Sequence, residues 1–435
     1  MKKLVNDYLK IVFIVVISAL VAMLLMALVY CIPRDLFRTH IQESEDLIYK
    51  LQDEEKLDRD RDTFVYDTKT NIITLEEVIA PREQSPLKDA LLAPTSNFIR
   101  DFWGDWGASL QNDMRADKYE DDNKLTYPRY WHGFVLFLKP MFVFFNLTEI
   151  YYINAIVLCM LSFGCLWLIY KKCKNYMVPF LILLGLYNPV YVARSFQLTS
   201  VFVAMIVALL LILFYGNKKG QEDKFLYVFA IDGIILAFLD FLTYPLVAFA
   251  IPLCFALIFL EKSFIEDILV CIKYGISFLL GYAGMWVMKW VLASIFTSEN
   301  VMLEGFESVL HRTGTGEAAK ADAMFNVPIS PIASLKANLS AFMTTPTKII
   351  TIIVIISMII VMIRALTNKV MDRRLVGKLF VFTLIAWSPV VWLIVLYNHC
   401  SLHPHLEWRE WIITLFTVIM MIEIISKEIK QKVGK

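Results

Sequence analysis

The chain is 435 residues long, 58% hydrophobic and 14% aromatic, with a formal net charge of +1. A soluble chain of this length buries one large core or a few smaller ones and has no need of repeated apolar runs of about 16 to 24 residues. The runs exclude an ordinary soluble protein; the balanced net charge says nothing about partners, whereas the distribution of charge says a good deal.

The first run, "IVFIVVISALVAMLLMALVYCI" at 11–32, carries no charge. At about 1.5 Å per residue it covers the ~30 Å of a bilayer's hydrocarbon. It is too long for the apolar core of a secretory signal, and no small-x-small cleavage site follows, so it reads as a retained span. Further spans are predicted at about 151–170, 176–193, 198–215, 225–241, 243–260, 269–292, 348–366, 377–396 and 411–426, roughly ten in all. The expected fold class is an all-α membrane protein of about ten transmembrane helices.

Lys2, Lys3 and Lys10, then "KKCK" (171–174), "GNKKGQEDK" (216–224), "RALTNKVMDRRLVGK" (364–378) and the tail "KEIKQKVGK" occupy alternate connections. Short loops rich in Lys and Arg stay cytoplasmic, which places both termini inside. The chain then divides into a first span (1–32), an extracytoplasmic loop (33–133), a re-entrant segment with spans two to seven (134–292), a second extracytoplasmic loop (293–347), and three last spans with a His-rich outer loop at 397–410 (348–435). All six histidines fall in outer segments. The seven cysteines lie mostly in spans or inside, without CxxC spacing, and read as structural.

In the first loop, Ile41, Ile48 and Leu51 recur at helical intervals among charged residues, which predicts an amphipathic helix on the membrane surface. About one hundred residues is too long for a plain connector, and the aromatic content argues against disorder. "FVLFLKPMFVFFNLTEI" (134–150) is apolar but interrupted by Lys139 and Pro140, which favours a re-entrant or interfacial helix. The "GTG" in 311–331 has neither a preceding strand nor a following GK[ST], so it reads as loop rather than phosphate cradle.

Charges near the outer span ends are Arg194, Asp240 and Lys289, with Tyr244 beside Asp240 in "LDFLTYP" (239–245) and Lys289 in "MWVMKWV" (285–291). Each alone could snorkel to the interface; together with the histidines they outline a polar cavity that opens outward. Asp232 and Glu423 lie towards the inner ends and fit that outline poorly. "TYPRYWHG" (126–133) is either an aromatic belt anchored by Arg129 or a site where Arg129 and His132 hold a phosphate while rings cover a sugar. "YNHCSLHPHLEWREW" (397–411) brings His399, His403 and His405 beside Glu407, Arg409 and Glu410; a Pro interrupts the histidines and the i, i+4 spacing of HExxH is missing, so no metal site is assigned.

On "HIQESEDLIYKL", "YDTKTN", "YPRYWHG", "DFLTYP" and "NHCSLHPHLEWR", the chain resembles the C-type superfamily of polytopic membrane glycosyltransferases, and within it a group of bacterial envelope proteins. The resemblance covers the architecture from end to end. It implies transfer of a sugar from a polyprenyl-phosphate donor to an extracytoplasmic glycan or lipid acceptor in a bacterial plasma membrane. No nucleotide cofactor and no nucleic acid are implied, and no motif supports a divalent cation. The implied base is an acid of the first loop: Asp46 or Glu45, with Tyr49 in the accompanying aromatic position, then Asp67, with Asp35 as a spare. Arg129 and His132, with His403 and Arg409 across the cavity, are implied at the leaving phosphate; Asp240, Tyr244, Lys289 and His399 complete the substrate-binding set. The narrower group would carry an Asp where this chain has Asn71, and an amide cannot act as a base. Rival expectations are a transporter or flippase for lipid-linked sugars, with Asp232 and Asp240 on one span as its hint, a glycan polymerase or ligase, and an assembly factor without catalysis, which Asn71 favours. An ATP-driven pump is excluded by the absence of a Walker motif.

Overall fold

The computed structural model describes residues 2–44, 46–51, 68–81, 83–96, 124–315 and 328–433. Six helical stretches are long and apolar enough to cross a membrane: Lys2–Val29, Leu147–Val192 (a helical hairpin), Phe196–Tyr215, Phe264–Phe296, Thr345–Thr367 and Arg373–Val395. The chain is an all-α membrane protein. Its outward surface agrees: along Thr345–Thr367 Ile349, Ile352, Ile356 and Ile360 are exposed, and only 11% of the most apolar stretch is buried.

In chain order the helices are α1 (Lys2–Tyr30), α2 (Arg38–Gln42), α3 (Thr68–Ile79), α4 (Pro86–Leu92), α5 (Val135–Phe142), α6 (Leu147–Cys173), α7 (Met177–Tyr187), α8 (Pro189–Val192), α9 (Phe196–Tyr215), α10 (Gln221–Leu239), α11 (Leu246–Leu260) and α12 (Phe264–Phe296). There follow α13 (Val301–Arg312), α14 (Pro331–Phe342), α15 (Thr345–Thr367), α16 (Arg373–Val395), α17 (Tyr397–Leu402), α18 (Pro404–Glu407) and α19 (Trp411–Val433). Two short strands, β1 (Pro94–Ser96) and β2 (Lys124–Thr126), pair antiparallel with Thr95 opposite Leu125.

Local chemistry sets the helix ends. A capping box of Asn146 and Glu149 starts α6, and Ser195 and Asp372 cap α9 and α16. The stretch expected to cross at 176–193 is helical only to Tyr187, because Asn188 at φ +47° turns the chain and Pro189 opens a new short helix. The first helix begins nine residues before the expected boundary. Its early charges are held by ion pairs, Lys3 to Asp223 at 2.7 Å and Lys10 to Asp7 at 3.5 Å. α5 is eight residues long with Pro140 inside, too short to cross, which suits the interfacial reading of that segment.

One end of the bundle is an ionic rim. Glu222 meets Lys262 at 2.5 Å and Lys273 at 3.2 Å, Asp267 meets Lys378 at 3.0 Å, and Glu261 meets Lys427 at 3.9 Å. Both termini and the Lys/Arg-rich connections lie here. Among the described residues the opposite end gathers 31–44, 46–51, 68–81, 83–96, 124–146, 188–195, 240–245, 297–315, 328–344 and 396–410.

The closest packing is between α10 and α12. A Cβ on Gly233 would overlap the Phe278 carbonyl oxygen, and one on Gly281 the Ala230 carbonyl oxygen. Two backbones touch there because neither helix carries a side chain at the crossing. Gly281→Val is therefore expected to cost about 1–3 kcal/mol or more, since a carbonyl on a packed helix cannot step aside. A lowered unfolding temperature in detergent checks it; an unchanged one would mean that the crossing is looser than described.

Candidate functional site

The segment 126–133 runs from β2 into the bundle at the end opposite the termini. The Gly133 N–H donates to Phe238 O at 2.8 Å, and any Cβ at Gly133 would strike that oxygen, so only glycine lets the segment press on the end of α10. Trp131 is buried and donates its indole N–H to Met285 O of α12 at 2.8 Å. Between these anchors His132 is forced to φ +54°, a left-handed conformation that costs a side-chain-bearing residue about 1–2 kcal/mol. The strained residue turns its ring to α3.

There His132 Nδ1 stands 2.8 Å from Glu77 Oε2, with both side chains 0% exposed. It is an ion-pair contact rather than an aligned hydrogen bond. The other ring nitrogen, Nε2, lies 2.7 Å from Tyr127 O. A carbonyl oxygen only accepts, so Nε2 carries the hydrogen. Nδ1 is thereby left facing the Glu77 carboxyl. Burial pushes the Glu77 carboxyl above its ordinary range, and His132 and Lys289 oppose that push. Lys289, expected in the substrate-binding set, is fully buried, and its amino group donates to Ala90 O at 3.2 Å. A carboxyl, an imidazole and an ammonium thus sit together in a site screened from water, which is the composition of an acid–base centre.

Just past α3 the chain reaches Ala80 and Pro81, which line a cavity of ≈ 310 Å³ with Tyr30, Arg34, Asp89 and Lys139. Lys139 is buried with its ammonium 3.8 Å from the centre of the Tyr30 ring. Asp89 accepts from Gln84 N at 3.0 Å, and burial raises its carboxyl all the same. The cavity is walled at the end of the first membrane helix by two cations and one acid, a lining suited to an anionic group.

A second cluster is built on the connection between α16 and α19. His399 Nε2 donates to Leu242 O at 3.1 Å and lies 3.3 Å from Glu407 Oε1, while Trp392 Nε1 donates to Glu407 Oε2 at 2.9 Å. Leu246 N donates to Glu410 Oε1 at 3.1 Å. Asp240 accepts from the Thr243 N–H at 3.0 Å and hydroxyl at 2.6 Å, closing the turn between α10 and α11. Tyr244 donates its hydroxyl to Leu198 O at 3.1 Å. The Arg409 guanidinium lies over the Trp408 and Tyr244 rings, 4.5 and 5.7 Å from their centres, and donates to His405 O at 2.7 Å. The His403 ring packs between those of His399 and His405. Phe241 joins the clusters, with its ring 5.0 Å from His132 and 5.2 Å from Tyr130. The Tyr130 hydroxyl in turn accepts from Arg312 of α13.

The arrangement reassigns several expected roles. Arg129 and His132 do lie near one another, but Arg129 is engaged by Glu304 at 3.3 Å and by the Tyr127 ring at 4.5 Å, and His132 by Glu77. Asp240, Tyr244, His399, His403 and Arg409 come together in the second cluster. Asp35 and Asp46 are exposed and Tyr49 is half-buried, apart from both clusters, although Ile41, Ile48 and Leu51 bury the face expected of them. Glu45 and Asp67 lie outside the described residues. All seven cysteines are free. Glu77, Asp89 and Arg312 were not foreseen as site residues, and Glu407 and Glu410 were read only as part of the titratable group at 397–411. "NIITLEEVIA" held part of the signal for Glu77: apolar residues at 72, 73, 75, 78, 79 and 80 cover most of the helix and leave Glu77 in a narrow polar stripe with Thr70 and Thr74, a stripe that the fold turns inward.

Asn71 has a structural task. Its amide Nδ2 donates to Arg194 O at 2.9 Å and its Oδ1 accepts from Phe196 N at 3.0 Å, which fixes the turn into α9. A carboxylate cannot donate to Arg194 O, so Asn71→Asp is expected to cost about 1–3 kcal/mol. Thermal unfolding of the purified variant checks this, with Asn71→Ser as a milder companion; full stability of Asn71→Asp would remove the assigned task.

Among the described residues no group of three or more His, Cys, Asp and Glu side chains is placed to hold a metal ion. No family model, no curated protein and no solved structure matches this chain.

Proposed function

We propose that the chain is a membrane glycosyltransferase that moves a sugar from a polyprenyl-phosphate donor to an extracytoplasmic glycan or lipid acceptor. The observation that carries the reading is the fully buried Glu77–His132 contact, on the expected first loop, next to a cation-walled cavity. In this reading ten helices cross the membrane, the two arms of the Leu147–Val192 hairpin counted separately and α10, α11 and α19 added to the apolar stretches, and the ionic rim with both termini is cytoplasmic. Glu77 takes the base role assigned on resemblance to Asp46, Glu45, Asp67 or Asp35.

The acceptor hydroxyl gives its proton to Glu77 as its oxygen bonds to the anomeric carbon. The bond from that carbon to the phosphate oxygen breaks, and the electron pair leaves with the phosphate. Arg34 and Lys139 stabilise the developing charge from the cavity wall. Glu77 lies behind that wall, near Tyr30, and must be uncovered for the acceptor to reach it. His132 holds the Glu77 carboxyl in place. Asn71 carries no weight against catalysis once its amide is needed for the turn into α9.

Native mass spectrometry of protein taken gently from its own membranes tests the reading. A co-purifying polyprenyl phosphate or its glycoside is expected, and its loss in Lys139→Met with the protein mass otherwise unchanged would locate the phosphate. Ordinary phospholipid alone, over repeated preparations, sinks the proposal. The transport reading has one observation of its own: Asp232, buried on α10 with neither carboxyl oxygen hydrogen-bonded among the described residues.

A further inference from the structure

Helix α13 divides into three lengthwise sectors. Val301, Gly305 and Arg312 form a buried stripe; Gly305 rests on the Trp290 ring, where a Cβ would not fit, and Arg312 reaches Tyr130. Glu304, Glu307 and His311 form a polar stripe. The third sector is apolar and uncovered, with Met302, Leu303, Phe306 and Val309 exposed and Leu303 and Phe306 at 53% and 57%. A helix in water would not keep four large apolar side chains bare along one side, and a helix inside the hydrocarbon would not carry the acids.

We propose that α13 lies in the plane of the membrane surface, on the side opposite the termini, with its apolar sector sunk in the headgroup–acyl boundary. The occupant of that sector is bilayer lipid. Continuity argues for it: α12 ends in the exposed Ile295 and Phe296, and only residues 297–300 separate this lipid-facing end from α13. The apolar sector extends the same greasy surface round a corner. Trp290 beneath Gly305 donates its indole N–H to Arg129 O at 2.9 Å, a ring with one apolar and one polar side of the kind found at interfaces.

The seat sets the depth of the site. Glu304 engages Arg129 and Arg312 engages Tyr130, so the membrane-lying helix holds both arginines at headgroup level. A substrate carried on a lipid would meet them without leaving the leaflet. The seat itself does not depend on the proposed sugar transfer.

The test uses the full chain in vesicles, with a small fluorescent amino acid replacing Phe306 in one variant, Leu303 in a second and Glu307 in a third. Nitroxide on the shallow acyl carbons of phosphatidylcholine should quench positions 303 and 306 at least about two-fold more than position 307, and aqueous iodide should do the reverse. Iodide quenching at 303 and 306 equal to that at 307 would place the sector in water. Shielding of 303 and 306 from both quenchers would place protein over it, for example a second copy of the chain. Either result overturns the proposal.

Discussion

Glu77→Gln is expected to lower glycosyl transfer by about 10²-fold or more, whereas Asp46→Asn leaves it unchanged. The amide keeps the shape of the carboxyl and removes only its ability to take a proton, so loss of the fold is not the expected cause. Glu77 is fully buried against His132, while Asp46 is exposed on a surface helix. The pH dependence should carry the same signature. Burial raises the Glu77 carboxyl, so the acid limb of the rate profile should lie above the ordinary carboxylate range. Lys289 pulls that carboxyl down; Lys289→Met should move the limb to higher pH. Transfer assays of the reconstituted protein from pH 5 to 8 decide it. Full activity of Glu77→Gln would return the base role to the first-loop acids named on resemblance.

The membrane helices were legible because hydrocarbon imposes length and composition on every span, and "IVFIVVISALVAMLLMALVYCI" has no other reading. The grouping of Lys and Arg loops was legible for a similar reason, and those loops do meet at one ionic rim. Tertiary partners were not. Lys289 reads as a substrate-binding cation because its distance to Ala90 O, on a helix almost two hundred positions earlier, is written nowhere in "MWVMKWV". His132 stands out in the density of "YPRYWHG", which reads as a phosphate site, and its partner is a carboxyl. Glu77 has no such local mark, because burial of an acid follows from the apolar residues around it and its partner lies on a distant segment. Asn71 looked like a lost catalytic group because a side chain that caps a distant turn has no local mark.

In the second cluster, stability should fall as pH rises from 6.5 to 9, and Glu407→Gln should flatten that fall. Burial holds the Glu407 carboxyl at about 8, against 4.5 for the free side chain, with Trp392, Cys400 and Arg312 opposing the rise. A carboxyl raised by the fold favours the folded state fully below pH 4.5 and loses that contribution as pH climbs through about 8. The whole contribution is on the order of 5 kcal/mol. His399 works in the other direction. Burial, with Arg312 nearby, depresses its imidazole to about 3 from 6.5, so its contribution is complete above pH 6.5 and is lost as pH falls towards 3. Between pH 4.5 and 6.5 the two changes offset one another, and above 6.5 only the Glu407 change is still in progress. Glu410, also raised by burial and by Glu407, adds to the same alkaline limb, and Glu407→Gln removes the part of its rise that Glu407 causes, so the difference between the curves reports Glu407 together with that coupling. Unfolding temperatures by intrinsic fluorescence in detergent, taken every half unit from pH 5 to 9, give the two curves. The amide variant should match the parent near pH 5 and exceed it at pH 9. Parallel curves across the range would mean that Glu407 is already ionised in the folded protein, and that the groups around it supply more positive potential than Arg312 and the Trp392 N–H provide.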